Sequence, residues 1–240
     1  GSGTLGLLIP PSIILIIYGV TVQESIAKLF IAGIIPGIMI ALIFMSYVII
    51  WSLINKKSMP KYVENFSFLE KIRKSKQLLP VIILISAVIG SIYTGVATAT
   101  EAASLGVVGA LILSYFQKSL TIETFKQSLL GATKTSCMIA FILAGSTFLS
   151  LAMGFTGLPR NLAIWIQNME LSPYVLIFVL MIFYIILGMF LDGISAVVLT
   201  MAIIEPMIRQ AGFDMIWFGI FLVIVVEMAQ ITPPVGFNLF

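Results

Sequence analysis

Residues 7–12 read Leu7-Leu8-Ile9-Pro10-Pro11-Ser12, and residues 230–236 read Gln230-Ile231-Thr232-Pro233-Pro234-Val235-Gly236. Each stretch sets a proline pair inside an apolar run. Proline has no N–H, and its ring clashes with the carbonyl four residues back. Pro10 and Pro11 are expected to free the carbonyls of Gly6 and Leu7, and Pro233 and Pro234 those of Ala229 and Gln230. In water such carbonyls are hydrated. In hydrocarbon each would cost several kcal/mol, so the backbone there must be buried in protein or line a water-filled cavity.

Composition says which medium applies. The chain has 240 residues, of which 60% are hydrophobic and 10% charged, and its mean hydropathy is +1.15. A soluble domain is about 25% charged. Apolar runs of about 20 residues, long enough to cross a bilayer, recur along the chain. The alternating pattern of an outer-membrane barrel is missing, which leaves an all-α polytopic membrane protein. The net charge of +3 does not point to nucleic acid. Between Asn55 and Gln77, Lys56, Lys57, Lys61, Lys71, Arg73, Lys74 and Lys76 face only Glu64 and Glu70. That distribution marks a cytoplasmic loop. A single cysteine, Cys137, excludes a disulfide within the chain, and the lack of histidine argues against haem, histidine-ligated zinc and a histidine base. No enzyme and no cofactor is expected. The sequence has no initiator Met and stops in Ile231–Phe240 without a polar tail, so it reads as part of a longer protein.

The organisation expected from the runs is as follows. Thr4–Val20 is a segment broken at the first proline pair, and Leu29–Leu53 spans with a bend near Pro36. Leu78–Phe116 holds two spans with a polar hinge at Thr94–Glu101. Gln117–Lys134 lies along the membrane surface as an interfacial helix. Thr135–Met169 reads as a re-entrant hairpin with Gly145, Ser146, Thr147 and Ser150 at its polar tip and Gly154, Gly157 and Pro159 shaping its turn, the alternative being a full crossing. Pro173–Pro206 is interrupted at Leu191-Asp192-Gly193, and Asp214–Phe240 at Glu227 and at the second proline pair. Residues 1–54 would end a first repeat, 55–77 form the loop, and 78–240 form a second repeat. Weak similarity between the two proline stretches fits an inverted repeat, in which the two broken segments run in opposite directions.

Bare carbonyls and helix C-termini suit Na+, and helix N-termini suit carboxylates. Thr4, Ser12, Thr232 and Asn238 can add side-chain oxygens, while Gly3, Gly6 and Gly236 allow close backbone approach. The alternative for each break is a packing kink. Intramembrane acids are functional candidates by default. Asp192 lies on an ion or substrate path or caps a helix on the Gly193–Ser195 backbone. Glu227 is a functional acid or pairs with a buried hydroxyl or a Lys elsewhere. Glu101 is an N-terminal charge. Ser146 and Thr147 are ligands or close-packing residues. Arg160 binds an anion or anchors at the interface, and Trp51, Trp165 and Trp217 are interfacial belt residues.

The stretches GTLGLLIPPS (3–12), KLFIAGIIPG (28–37), GVATATEAASLGVVGAL (95–111), GLPRNLAIWI (157–166) and GIFLVIVVEMAQITPPVGFNLF (219–240) resemble the large membrane subunit of TRAP transporters, the tripartite ATP-independent periplasmic systems. The resemblance covers nearly the whole chain as the C-terminal half of that subunit. One departure is Ala99, where the family pattern has proline.

The resemblance implies an elevator-type secondary transporter of the ion transporter superfamily kind, multi-pass in the bacterial inner membrane. It would take up an organic acid anion, such as a C4-dicarboxylate or sialic acid, with Na+ as coupling ion and the only metal. Its partners would be a small membrane subunit, a periplasmic substrate-binding protein and the lipid bilayer, with no nucleic acid. By motif, Na+ would be bound around Thr4, Gly6, Leu7, Gly145, Asp192, Ala229, Gln230, Thr232 and Gly236. Substrate would meet Ser12, Ser146, Thr147 and Asn238, and Pro10, Pro11, Pro233 and Pro234 would supply the breaks. A stand-alone Na+/dicarboxylate symporter, a channel and a structural membrane scaffold are the alternative readings.

Overall fold

The computed structural model describes residues 6–55, 75–169 and 172–233. Among them the secondary structure is entirely helical: α1 Ile13–Thr21, α2 Ile26–Ile54, α3 Leu79–Tyr93, α4 Ala99–Phe116, α5 Ile122–Thr156, α6 Leu158–Asn168, α7 Pro173–Gly188, α8 Gly193–Gln210 and α9 Met215–Ile231, with a short 3-10 turn at Lys76–Leu78. By length and apolarity α2, α4, α5 and α8 can each cross a membrane. Most of the basic loop lies outside the described residues.

Local chemistry starts the helices where the polar residues fall. Ser12, Ser172, Asp192 and Asp214 are N-caps whose side chains accept first-turn N–H groups. Thr98 and Glu101 form a reciprocal capping box, with Thr98 N–H donating to Glu101 Oε2 at 2.8 Å and Glu101 N–H donating to Thr98 Oγ1 at 3.3 Å. Glu101 is thus a helix-start charge, as expected. The turn between α3 and α4 forms with Ala99 in the first helical position.

Two expectations change. No interfacial helix ends near Lys134, and no break occurs at Gly145–Thr147: α5 runs through both. Its polar residues are satisfied without leaving the helix. Thr147 donates to the Leu143 carbonyl at 2.8 Å, and Ser146 donates to Val198 of α8 at 2.7 Å. The chain turns after α5, at Gly157, whose φ of +68° is the left-handed conformation glycine adopts freely. A helical hairpin forms instead from α7 and α8, which pack together across a break at Met189–Asp192. Likewise α9 continues through Glu227 and stops at Ile231.

The chain divides into two compact units, Gly1–Ile38 with Leu130–Phe240, and Met39–Leu129. In the second, α3 packs on α4, and Gly109 takes the Leu84 side chain. Their outer faces carry exposed Ile82, Ile83, Val107 and Ile112, as lipid contact requires. In the first unit α9 packs on α7, α8 and α1, and α8 also packs on α1 and α6. Leu15, Tyr18, Tyr184, Met201, Phe218 and Leu222 are fully buried there.

Named contacts fix the helix directions. The Tyr18 hydroxyl of α1 donates to the Met215 carbonyl at the start of α9, 2.6 Å away. Ile14 at the start of α1 lies beside Gly193, which also meets Gln230 at the end of α9. So α1 and α9 are antiparallel. At the far end of α8, Arg209 Nη2 donates to the Val22 carbonyl at 3.2 Å and stands 3.8 Å from Glu24, while its Nε bonds Glu205 at 2.9 Å. Hence α1 and α8 are parallel.

Close packing of α1 on α9 depends on Gly219. A Cβ there would fall 2.5 Å from Tyr18 Cε1 and 2.8 Å from Cδ1. Gly219→Val must push the Tyr18 ring aside and break its bond to Met215. It is expected to lower unfolding stability by about 1–3 kcal/mol, read as a fall in midpoint on thermal or denaturant titration in detergent.

Candidate functional site

The breaks picked out by proline, glycine and aspartate meet at one end of the first unit. The start of α8 is the meeting point. A Cβ built on Gly193 would lie 2.6 Å from Gln230 Nε2, 2.8 Å from Ile14 Cδ1 and 3.0 Å from Val226 Cγ1. A Cβ on Gly188, the last residue of α7, would lie 2.6 Å from Ala229 Cβ. The N-termini of α1 and α8 therefore adjoin the C-termini of α7 and α9. The first pair presents N–H groups and partial positive charge, the second carbonyls and partial negative charge. Such an end can hold an anion and a cation side by side.

The segment leading into α1 is covered by protein. Leu8 and Ser12 are fully buried, Gly33 of α2 packs against the Leu8 carbonyl, and Gly37 packs against Ile9. The Pro10–Pro11 peptide bond is cis. Leu7 was expected to present a bare carbonyl, and instead it accepts the Ser12 hydroxyl. Ser12 also accepts Leu15 N–H at 3.2 Å, so its hydroxyl is committed to capping α1. Gly6 is exposed just before this turn. At the other break, Ala229 is buried and its carbonyl accepts Thr232 N–H at 3.0 Å. The Thr232 hydroxyl donates to Met228 at 2.7 Å. A carbonyl has two lone pairs, so Leu7 and Ala229 each keep one acceptor site. Gln230 is buried with its amide against Gly193.

Asp192 takes the capping role. One of its oxygens, Oδ2, accepts Ile194 N–H and Ser195 N–H, both at 3.1 Å. Ser146 is buried and joins α5 to α8 through Val198, a little over one turn beyond Gly193. Gly145 and Thr147 beside it are exposed. Pro233 is exposed after Thr232. Thr4, Pro234, Gly236 and Asn238 lie outside the described residues. Among the described residues, no cluster of three or more acidic, Cys or His side chains could hold a metal ion.

Glu227 belongs to this region. It is 4% exposed, and its Oε1 has no hydrogen-bond partner among the described residues. It sits one turn before Ile231 on the helix that ends at the site. Its apolar surroundings in the sequence flagged it. The close approach of Gly188 to Ala229, and of Gly193 to Gln230, had no sequence signal beyond the glycines. Nor did the Tyr184–Thr200 hydroxyl pair at 2.6 Å, which ties α7 to α8 below the break. Thr200 donates onward to the Ala196 carbonyl at 2.7 Å, so Tyr184 is the donor of that pair.

The whole chain, residues 1–240, matches the model of the family described as "Tripartite ATP-independent periplasmic transporter, DctM component". It is 32% identical over 240 residues to the C4-dicarboxylate TRAP transporter large permease protein DctM of Pseudomonas aeruginosa, covering 100% of this chain and 56% of that protein. The protein of the same name from Rhodobacter capsulatus is 32% identical over 254 residues, covering 100% and 57%. The 2,3-diketo-L-gulonate TRAP transporter large permease protein YiaN of Escherichia coli is 31% identical over 243 residues, covering 98% and 55%. The chain thus spans a little over half the length of these relatives.

The cap and the charge of Asp192 are separable. Asp192→Ala removes the acceptor for two N–H groups and is expected to cost about 0.5–2 kcal/mol of stability. Asp192→Asn keeps an equally good cap and should unfold near the wild-type midpoint. Equal destabilisation by both variants would show that the carboxylate charge, and not the cap, holds the start of α8.

Proposed function

Because the chain belongs to the DctM component family of tripartite ATP-independent periplasmic transporters, whose named relatives are permeases and not enzymes, we propose that it is the part of a Na+-coupled permease that carries the second half of the ion and substrate site. The observation that carries this reading is the convergence at Gly193. Four helix ends of opposite polarity meet there, near the buried Oε1 of Glu227, which has no partner among the described residues.

In this reading Na+ is bound by main-chain and side-chain oxygens near the end of α9 and its proline pair. Residues Ala229, Gln230, Thr232 and Gly236 supply them on one side, and Thr4, Gly6 and Leu7 on the other. A carboxylate substrate would then meet the N–H ends of α1 and α8. Bound Na+ offsets the negative carbonyl ends and orders the breaks before the anion arrives. Substrate would be an organic acid such as a C4-dicarboxylate, delivered by a periplasmic binding protein, with a small membrane subunit as scaffold partner in the inner membrane.

The hairpin of α7 and α8 supports a re-entrant, elevator-type movement. The 16 residues of α7 reach roughly 24 Å at about 1.5 Å each, less than the ~30 Å hydrocarbon thickness. The hairpin would therefore turn within the membrane and travel with the substrate. Residues 1–54 and 78–240 would belong to two repeats of opposite orientation, joined by the loop at 55–77.

Uptake by the full-length permease in proteoliposomes tests this. An imposed inward Na+ gradient should drive accumulation of the acid anion only when the binding protein is supplied. Thr232→Ala and Asn238→Ala should each raise the Na+ concentration needed for half-maximal uptake. Unchanged Na+ dependence in both variants removes these residues from the site. Uptake that needs no binding protein identifies a stand-alone symporter.

A further inference from the structure

A second concave region lies at the opposite end of α8, roughly 20–25 Å from Gly193 at about 1.5 Å per helical residue to Pro206 and Gln210. It is a cleft of about 550 Å³ lined by Gly154, Gly157, Pro159, Arg160, Ile164, Pro206 and Gln210. The turn from α5 into α6 forms one wall, and the last two turns of α8 form the other. We infer that this cleft is a binding site for one anionic phospholipid, with the phosphate on Arg160 and an acyl chain against the apolar walls.

Three observations carry this. The first is charge. Arg160 is the single charged residue lining the cleft, it is exposed, and it makes no ion pair or hydrogen bond among the described residues. The other cation nearby in sequence on α8, Arg209, is committed to Glu205, Glu24 and the Val22 carbonyl. The second is depth. Trp165 is 58% exposed on α6, just beyond the cleft. Trp217, at the start of α9 and the same end of the unit, is 48% exposed and stacks on Phe213 at 5.3 Å. Exposed tryptophans mark the headgroup level, where lipid phosphates lie. The third is the lining: apart from Arg160 and Gln210 it is glycine, proline and isoleucine. A small hydrated anion gains nothing from such walls, whereas an acyl chain does.

Native mass spectrometry of the full-length permease, released from nanodiscs of equal phosphatidylglycerol and phosphatidylcholine, tests the site. Wild type should retain one phosphatidylglycerol in preference to phosphatidylcholine. Arg160→Gln should reduce that retention about fivefold, and Arg160→Lys should keep most of it. Gly154→Leu supplies a second variant. Gly154 lines the cleft and a Cβ there meets nothing within 4 Å, so a side chain at this position has open space at the cleft wall. It should lower lipid retention with Arg160 intact. Wild-type retention in both Arg160→Gln and Gly154→Leu overturns the site. So does equal retention of the two lipids, or displacement of the lipid by millimolar inorganic phosphate. Loss of all lipid when the small membrane subunit is bound also overturns it, because the cleft is then a protein contact.

Discussion

The missing Cβ of Gly193 lets the first turn of α8 rest directly on the last turn of α9, with Ile14 of α1 against the same spot. Helix ends carry unsatisfied backbone groups, and hydrocarbon offers them no partners. Ends inside a membrane must therefore be capped, covered or used. Here Asp192 and Ser12 cap, Leu8 and Ile9 are covered by Gly33 and Gly37 of α2, the end of α9 is pressed against the start of α8, and the end of α7 against the end of α9. A larger residue at 193 would separate the three helices and leave those ends without cover.

The same economy governs the buried hydroxyls. Tyr18 reaches Met215, Tyr184 reaches Thr200, and Ser146 reaches Val198. Each joins two helices that would otherwise meet only through apolar side chains, which give little orientation in lipid. Glu227 stands outside this pattern. Its Oε1 is buried one turn from the break and bonded to nothing among the described residues, so an acceptor is held ready in the part of the fold where cation chemistry is proposed.

How much of this could be read from the sequence follows from the kind of signal involved. Proline and glycine act through covalent geometry, so the breaks at Pro10-Pro11, Leu191–Gly193 and Thr232-Pro233 appear where the residues put them. The Thr98–Glu101 and Asp192 caps are equally local. Polar content is a weaker signal. Gly145-Ser146-Thr147 resembles a hairpin tip, but short hydroxyl side chains return their hydrogen bonds to their own helix or a neighbour and leave it unbroken. The hairpin formed by α7 and α8 depends on tertiary contacts, Tyr184 to Thr200 and Gly188 to Ala229, that have no sequence period. For the candidate site, the residues at the breaks were legible, and their assembly around Gly193 was not. Two of the expected bare carbonyls, those of Leu7 and Ala229, are partly occupied by Ser12 and Thr232 because a donor happens to lie within reach.

The short helix α1 has a mechanical consequence. It is pinned to α8 at both extremities, by Ile14 on Gly193 at one end and by Arg209 on the Val22 carbonyl at the other. Tyr18 rivets its middle to α9. A helix of 9 residues held at three heights cannot slide or tilt against those two neighbours without breaking one of the attachments. Helices α1, α8 and α9 therefore form a single stiff block. The turn that follows, Val22–Ser25, in which Gln23 adopts a φ of +57°, is tied to the same block by Arg209, which reaches both the Val22 carbonyl and Glu24.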